Sequence, residues 1–239
     1  MPAGADTLTP QLPLGFSLAP GATFDSYFIG PNALAVGLLR DMAAGRGEQQ
    51  IHLAGAAGLG KTHLLQALCR AAGAAAAGQP VAYLPLAEVG RMDPAVVEGL
   101  EHLAVVAIDD VAAITGEEGW ERALFNLINA ARAAGTRLAF ASRAAPGDLG
   151  LRLPDLASRL AWGPVVRLDP LDDDARRAAL AERARVLGLE LPPAVGDYLV
   201  RHDRRDLAGL LARLEELDQA SLAAGRRLTI PLVRAILQR

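Results

Sequence analysis

The stretch Gly55-Ala-Ala-Gly58-Leu59-Gly60-Lys61-Thr62 restricts the fold more than any other part of the chain, because it satisfies G-x-x-x-x-G-K-[ST] in a specific setting. An apolar run, Ile51 to Ala54, precedes it, and the helical pattern HLLQALCRAA follows. A glycine-rich turn between a buried strand and a helix lets backbone N–H groups face inward, and the helix N-terminus adds partial positive charge. Such a turn is a cradle for phosphates. Lys61 would supply a point charge toward the terminal phosphates, and Thr62 a hydroxyl for Mg2+. Leu59 and His63 belong to the same candidate nucleotide-binding set.

A strand, phosphate loop and helix in this order imply a parallel sheet, and the rest of the chain agrees. Short β-type runs at Ile51 to Ala54, Val81 to Leu84, Ala104 to Ile108, Leu138 to Ala141 and Val165 to Leu168 alternate with helical patterns. The central runs are apolar throughout, as expected of strands covered by helices on both faces. Beyond Asp169 no further strand is expected. Helices opened by Asp172, by Pro192 and Pro193, by Asp203, and by Thr229 before Pro231 would form a small all-α unit. In the longest of them Leu207, Leu210, Leu211, Leu214 and Leu217 share one face, which reads as core. The expected fold class is α/β: a P-loop parallel sheet sandwiched by helices over residues 23–168, then a helical lid over 169–239. Residues 1–22, broken repeatedly by Pro and Gly, are expected to form a flexible tail.

AVVAIDD ends a strand candidate at Asp109 and Asp110, whose carboxylates would project from the carboxyl edge of the sheet beside the phosphate loop. Asp109 would hold Mg2+ through water. Asp110 would orient the attacking water, since hydrolysis of a phosphoanhydride needs a positioned nucleophile and charge neutralisation more than covalent help.

TFDSYFIGPNALA from Thr23, GAAGLGKTHLLQA from Gly55, AVVAIDD from Ala104 and SRLAWG from Ser158 resemble the ATPase core of the bacterial replication initiator DnaA, an AAA+ family, over about residues 23–239. The resemblance implies ADP or ATP with Mg2+ as cofactors and an adenine-side pocket at Phe28, Ile29 and Gly30, although Phe28 and Ile29 suit core positions equally well. By the same resemblance Ser142 takes the sensor-1 place, where a hydroxyl bonds the terminal phosphate or the attacking water. Arg205 takes the sensor-2 place, touching the phosphates of its own nucleotide, with Arg204 as the neighbouring alternative. Arg159 falls where family members carry an arginine finger that reaches in trans into a neighbouring subunit's site. A surface pair with Asp155 at (i, i+4) is its plainer alternative.

The chain ends at Arg239, soon after the lid, and on that ground the helix-turn-helix domain that recognises origin boxes is expected to be absent. A short core preceded by Gln11-Leu12-Pro13-Leu14-Gly15-Phe16 is similar to the Hda group of regulators, which inactivate DnaA while attached to the sliding clamp. On that resemblance Gln11, Leu12, Leu14 and Phe16 would seat in the clamp's apolar groove. The implied partners are the DNA polymerase III sliding clamp (beta subunit) and DnaA, with a homodimer as a further arrangement and DNA reached only indirectly. The implied role is negative regulation of replication initiation, with slow turnover of the chain's own ATP. A rival reading, a helicase-loader-like or initiator-paralogue ATPase acting on single-stranded DNA, would call for a basic surface.

A formal charge of -3, with 51% apolar and 21% charged residues, argues against disorder and against a general electrostatic grip on nucleic acid. The longest apolar run, Leu103 to Ile108, falls far short of the roughly 20 residues that cross a bilayer. With no signal-like N-terminus and Cys69 as the single cysteine, a cytoplasmic protein without a membrane partner is expected, associated with the nucleoid through the clamp. The histidines show no ligand spacing, so no structural metal is expected.

Overall fold

The computed structural model describes residues 18–19, 21–75, 80–202, 206–224 and 227–237. Helix α1 (Ala33–Ala43) leads into β1 (Gln50–Ala54), α2 (Lys61–Ala75) and β2 (Val81–Pro85). A short α3 (Leu86–Val89) and two 3-10 turns connect to β3 (Val105–Asp109), followed by α4 (Glu118–Ala134), β4 (Arg137–Ser142), α5 (Pro154–Leu160) and β5 (Val165–Arg167). Four helices then follow: α6 (Asp173–Leu187), α7 (Pro193–His202), α8 (Leu207–Ala224) and α9 (Ile230–Leu237).

All strands pair in parallel, in the order β2-β3-β4-β1-β5. β1 thus lies between two strands that come later in the chain, and the loop leaving its carboxyl end opens at the kind of crevice where such sheets bind ligands. Side chains alternate along the strands between two cores. Ile51, Leu53, Val105, Ala107, Ala139 and Ala141 face α1 and α2, while Val106, Ile108, Leu138 and Phe140 face α4 and α5. Because both faces need apolar cover, the strands read as unbroken apolar runs. A third core, with Leu180, Leu199, Leu210, Leu214, Leu217 and Val233 fully buried, holds α6 to α9 together.

Helix starts follow local capping chemistry. Asp172 accepts a hydrogen bond from the Ala175 amide at 2.7 Å and opens α6. For α8 the cap is Asp206, not the Asp203 expected from the sequence: the Asp206 carboxylate accepts from the Gly209 amide at 2.6 Å. Three residues separate cap and donor, the spacing a cap needs, and Asp203 lies outside the described residues.

The N-terminal segment docks earlier than the expected tail boundary at residue 22. Leu18 packs on the α1–α2 core, the Ala19 amide donates to Gln66 Oε1 at 3.1 Å, and Arg70 donates to the carbonyls of Ala19 and Ala22. Irregular backbone can be held in place when long polar side chains satisfy its N–H and C=O groups, and two residues of α2 do this here. No helix among the described residues is long and apolar enough to cross a membrane.

Candidate functional site

Gly58 and Gly60 both adopt φ of 81°, in the left-handed region, and both are closely approached. A β-carbon on Gly58 would come within 2.8 Å of the Asp206 side chain, and one on Gly60 within 2.7 Å of the Tyr27 ring. Gly55, at φ 154°, begins the loop. Lys61 opens α2 with 7% of its surface exposed, and its Nζ donates to the carbonyls of Gly55 and Ala56, each at 2.7 Å. Burial draws this ammonium below the ordinary lysine pKa; Asp109 and Asp110 pull it back up, and Arg143 pushes it down. The cation is held over the loop by backbone dipoles, where arriving phosphate oxygens would compete for it.

Asp109 is 3% exposed. Its Oδ2 accepts from Thr62 Oγ1 at 2.6 Å and Tyr83 Oη at 2.9 Å, and its Oδ1 accepts from the Asp110 amide at 2.9 Å. Thr62 and Asp109 therefore present hard oxygen donors side by side at the end of the phosphate loop, a donor set that fits Mg2+. Asp110 is the single non-glycine residue with positive φ (52°) among the described residues, and its side chain borders the cleft. Holding a non-glycine residue in this conformation costs free energy, and such costs concentrate at working sites.

A cleft of about 910 Å³ lies between the loop and the helical lid. Phe28, Leu59, His63, Leu171 and Arg176 border it. His63 Nε2 also donates to the Thr23 carbonyl at 2.8 Å, tying the N-terminal segment to the loop helix. Of the three residues expected on the adenine side, Phe28 alone lines the cleft. Ile29 is 38% exposed outside it, and Gly30 packs beneath Leu171, whose Cδ2 lies 2.6 Å from where a β-carbon would be. The leucine face of α8 is likewise divided. Leu210, Leu214 and Leu217 are core; Leu211 packs against that core and also borders the cleft, as does Leu207, because the start of α8 overhangs the phosphate loop.

Ser142 does not reach the cleft. It is fully buried, its Oγ donates to the Ala144 carbonyl, and it pairs with His52 Nε2 at 2.6 Å. With the hydroxyl proton committed to Ala144, His52 must donate from Nε2 and is neutral; burial lowers its pKa from 6.5 to about 4. The sequence expectation of a phosphate-bonding hydroxyl at this position is therefore corrected. The next residue, exposed Arg143, lines the cleft instead. It was missed because Arg143 lies one residue past the end of β4, where side chains still leave on alternating sides and one position decides which emerges.

Asn32 and Tyr27 were also missed. Asn32, 6% exposed, donates from Nδ2 to the Asp169 carbonyl at 3.1 Å and accepts from the Asp169 amide at 2.8 Å. It also donates to Tyr27 Oη, which in turn donates to the Leu59 carbonyl at 3.1 Å. The chain thus joins the entry to the lid, the N-terminal segment and the phosphate loop through one buried amide. The signal was present in GPN at residues 30–32, where a polar amide follows a turn and precedes an apolar helix.

Arg159 lies elsewhere, at the amino end of β1, where its carbonyl accepts from Gln50 Nε2 at 2.7 Å. Among the described residues it makes no ion pair with Asp155. The loop entering α5 is fixed by Glu121, 1% exposed, whose carboxylate accepts from the amides of Gly116, Arg152 and Leu153. Burial alone would raise the pKa of this carboxyl, but the three amides and Arg152 hold it below the usual value. Gln11, Leu12, Leu14 and Phe16, and both Arg204 and Arg205, lie outside the described residues.

Residues 18–167 match the family of bacterial DnaA ATPase domains. The chain belongs to the DnaA-related AAA+ family. Residues 173–237 match the Hda lid domain, so both parts of the fold carry the family's pattern. Domain III of the Thermotoga maritima replication initiation protein DnaA superposes with a TM-score of 0.79 at 23% identity, covering 93% of this chain and 98% of that one. AMPPCP-bound DnaA from Aquifex aeolicus gives 0.72 at 24% identity, over 84% of this chain and 66% of that one. The Thermotoga maritima RuvB branch migration motor gives 0.65 at 16% identity, over 89% and 73%. At these identities the likeness is one of fold, an AAA+ sheet with a helical lid.

Proposed function

We propose that this DnaA-related protein is a regulator that holds an adenine nucleotide in its own cleft and presents Arg159 to ATP bound by DnaA, promoting hydrolysis there and restraining replication initiation. The observation that carries the reading is the separation of the two charges. The Arg159 carbonyl is anchored to Gln50 at one end of β1, with its guanidinium packed on Trp162 there, and the phosphate loop leaves the other end, roughly 17 Å along the strand at about 3.3 Å per residue. An arginine so placed serves a neighbour's phosphates, where a guanidinium offers permanent charge and planar donors to the transferring phosphoryl group.

In the chain's own site, the loop amides and Lys61 would hold the phosphates, and Phe28, Leu207 and Leu211 would enclose the base side. The AMPPCP carried by the Aquifex aeolicus DnaA structure supports an adenine nucleotide as the ligand. Thr62 and, through water, Asp109 would hold Mg2+, which neutralises phosphate charge when bound. Asp110 would orient water for slow turnover of the chain's own ATP, and Arg205 would report its nucleotide state to the lid. Gln11, Leu12, Leu14 and Phe16 would moor the molecule to the sliding clamp, with DnaA as the second partner.

The test is ATP turnover by DnaA with clamp loaded on DNA. Removal of residues 1–17, which spares the docked segment from Leu18, should abolish both retention on immobilised clamp and the clamp-dependent rise in turnover, while nucleotide binding persists. Full retention and full stimulation without those residues would refute the clamp assignment.

A further inference from the structure

Arg159 has company at the amino end of β1. Its guanidinium carbon lies 3.9 Å from the centre of the Trp162 ring and 5.4 Å from that of Phe125, and the Arg132 guanidinium lies 4.3 Å from the same indole. Both distances to one ring keep the two cations within about 8 Å of each other, one Debye length at physiological salt. Among the described residues neither forms an ion pair with a carboxylate. Arg159 Nε is buried without a hydrogen-bond partner, while the indole is 37% exposed, so the array opens to solvent.

The geometry is fixed from below. The Arg159 carbonyl accepts from both Gln50 Nε2 and the Trp162 amide, the latter at 3.2 Å. Gly163 lies so close to β1 that a β-carbon there would sit 1.9 Å from the Gln50 carbonyl oxygen. Trp162 is therefore held between a fixed helix end and a residue pressed against the sheet. An indole face attracts a guanidinium without consuming its N–H donors, which suits planar recognition of phosphate. It does not cancel the repulsion between two cations, which a polyanion would relieve.

We propose that Arg132, Trp162 and Arg159 form one polyphosphate-receiving face, in which Trp162 is a positioning residue for the Arg159 guanidinium and Arg132 is a second cation contacting the ligand. The ligand is the polyphosphate end of a nucleotide held by a neighbouring subunit. The idea rests on the trans reading of Arg159 and adds to it a second charge and the ring that orders both.

Two measurements separate the two ideas. Trp120 is buried at 4% exposure, so a change in tryptophan emission on adding an anion reports Trp162. Inorganic tripolyphosphate titrated into Lys61→Ala protein, whose own loop lacks its phosphate cation, should produce a saturable change, with half-saturation raised about tenfold or more by Arg132→Gln. A flat titration, or one indifferent to Arg132→Gln, overturns the proposal. In DnaA-bound ATP turnover, Trp162→Ala should lower the maximal rate toward that of Arg159→Ala, and Trp162→Phe should restore most of it. Saturable tripolyphosphate binding together with turnover that ignores Arg159 would uphold the anion face and sink the DnaA assignment. Turnover that needs Arg159 but tolerates both Trp162→Ala and Arg132→Gln would sink the positioning claim alone.

Discussion

At the carboxyl end of β1, Lys61 is buried and bonded to two carbonyls of its own loop; burial lowers its pKa, and Asp109 and Asp110 offset part of that shift. At the amino end, Arg159 and Arg132 share an exposed indole and no carboxylate among the described residues. The two ends of one strand thus border a cation compensated within the chain and a pair of cations without a carboxylate partner among the described residues. The first arrangement can persist without a partner, since Lys61 already has two carbonyl dipoles and Asp109 three donors. On the proposed reading the second finds its complement in a neighbouring subunit, which is the physical content of acting in trans.

That contrast can be broken one end at a time. Arg159→Ala should reduce the stimulated turnover of DnaA-bound ATP by about 10³-fold or more while the chain's own nucleotide affinity is unchanged, as read by steady-state kinetics and equilibrium binding on the same preparation. Lys61→Ala should do the reverse, weakening the chain's own adenine-nucleotide binding by roughly a hundredfold, about 3 kcal/mol for a charged hydrogen-bonding group.

How much of this could be read in advance differs between the two ends. The phosphate loop was legible because its residues are contiguous and their spacing is itself the geometry. The strands were legible because Ile51 to Ala54 and Val105 to Ile108 are covered on both faces, which removes the polar alternation that would blur them. Arg143 rather than Ser142 borders the cleft because the direction of side chains at a strand's end turns on a single position. Leu207, which borders the cleft, read as core because helical periodicity shows which residues share a face, not where along the helix the neighbouring domain ends. The Arg132–Trp162 contact joins α4 to the turn after α5 across thirty residues, and no local pattern records such a pairing.

Smaller effects sharpen the contrast. Gly163→Ala forces a β-carbon onto the Gln50 carbonyl and should cost about 2 kcal/mol in urea unfolding, and it should lower stimulated turnover before it touches nucleotide binding. His52, midway along β1, supplies a pH dependence. Its folded pKa of about 4 lies below the unfolded value near 6.5, so the unfolded chain takes up the proton first as pH falls. Stability from this residue is complete above pH 6.5 and is lost on acidification toward pH 4, by about 1 kcal/mol between pH 6.5 and 5.5. Urea titrations of wild type and His52→Gln at those two pH values should show that increment in the wild type and little of it in the variant.

The most direct examination of the trans geometry is photocrosslinking from ATP that carries a photoreactive group on its γ-phosphate, bound to DnaA and mixed with this chain on clamp-loaded DNA. The account predicts adducts on the peptide spanning residues 154–163, around Arg159 and Trp162. Adducts confined to DnaA, or to the segment around Lys61, would contradict it.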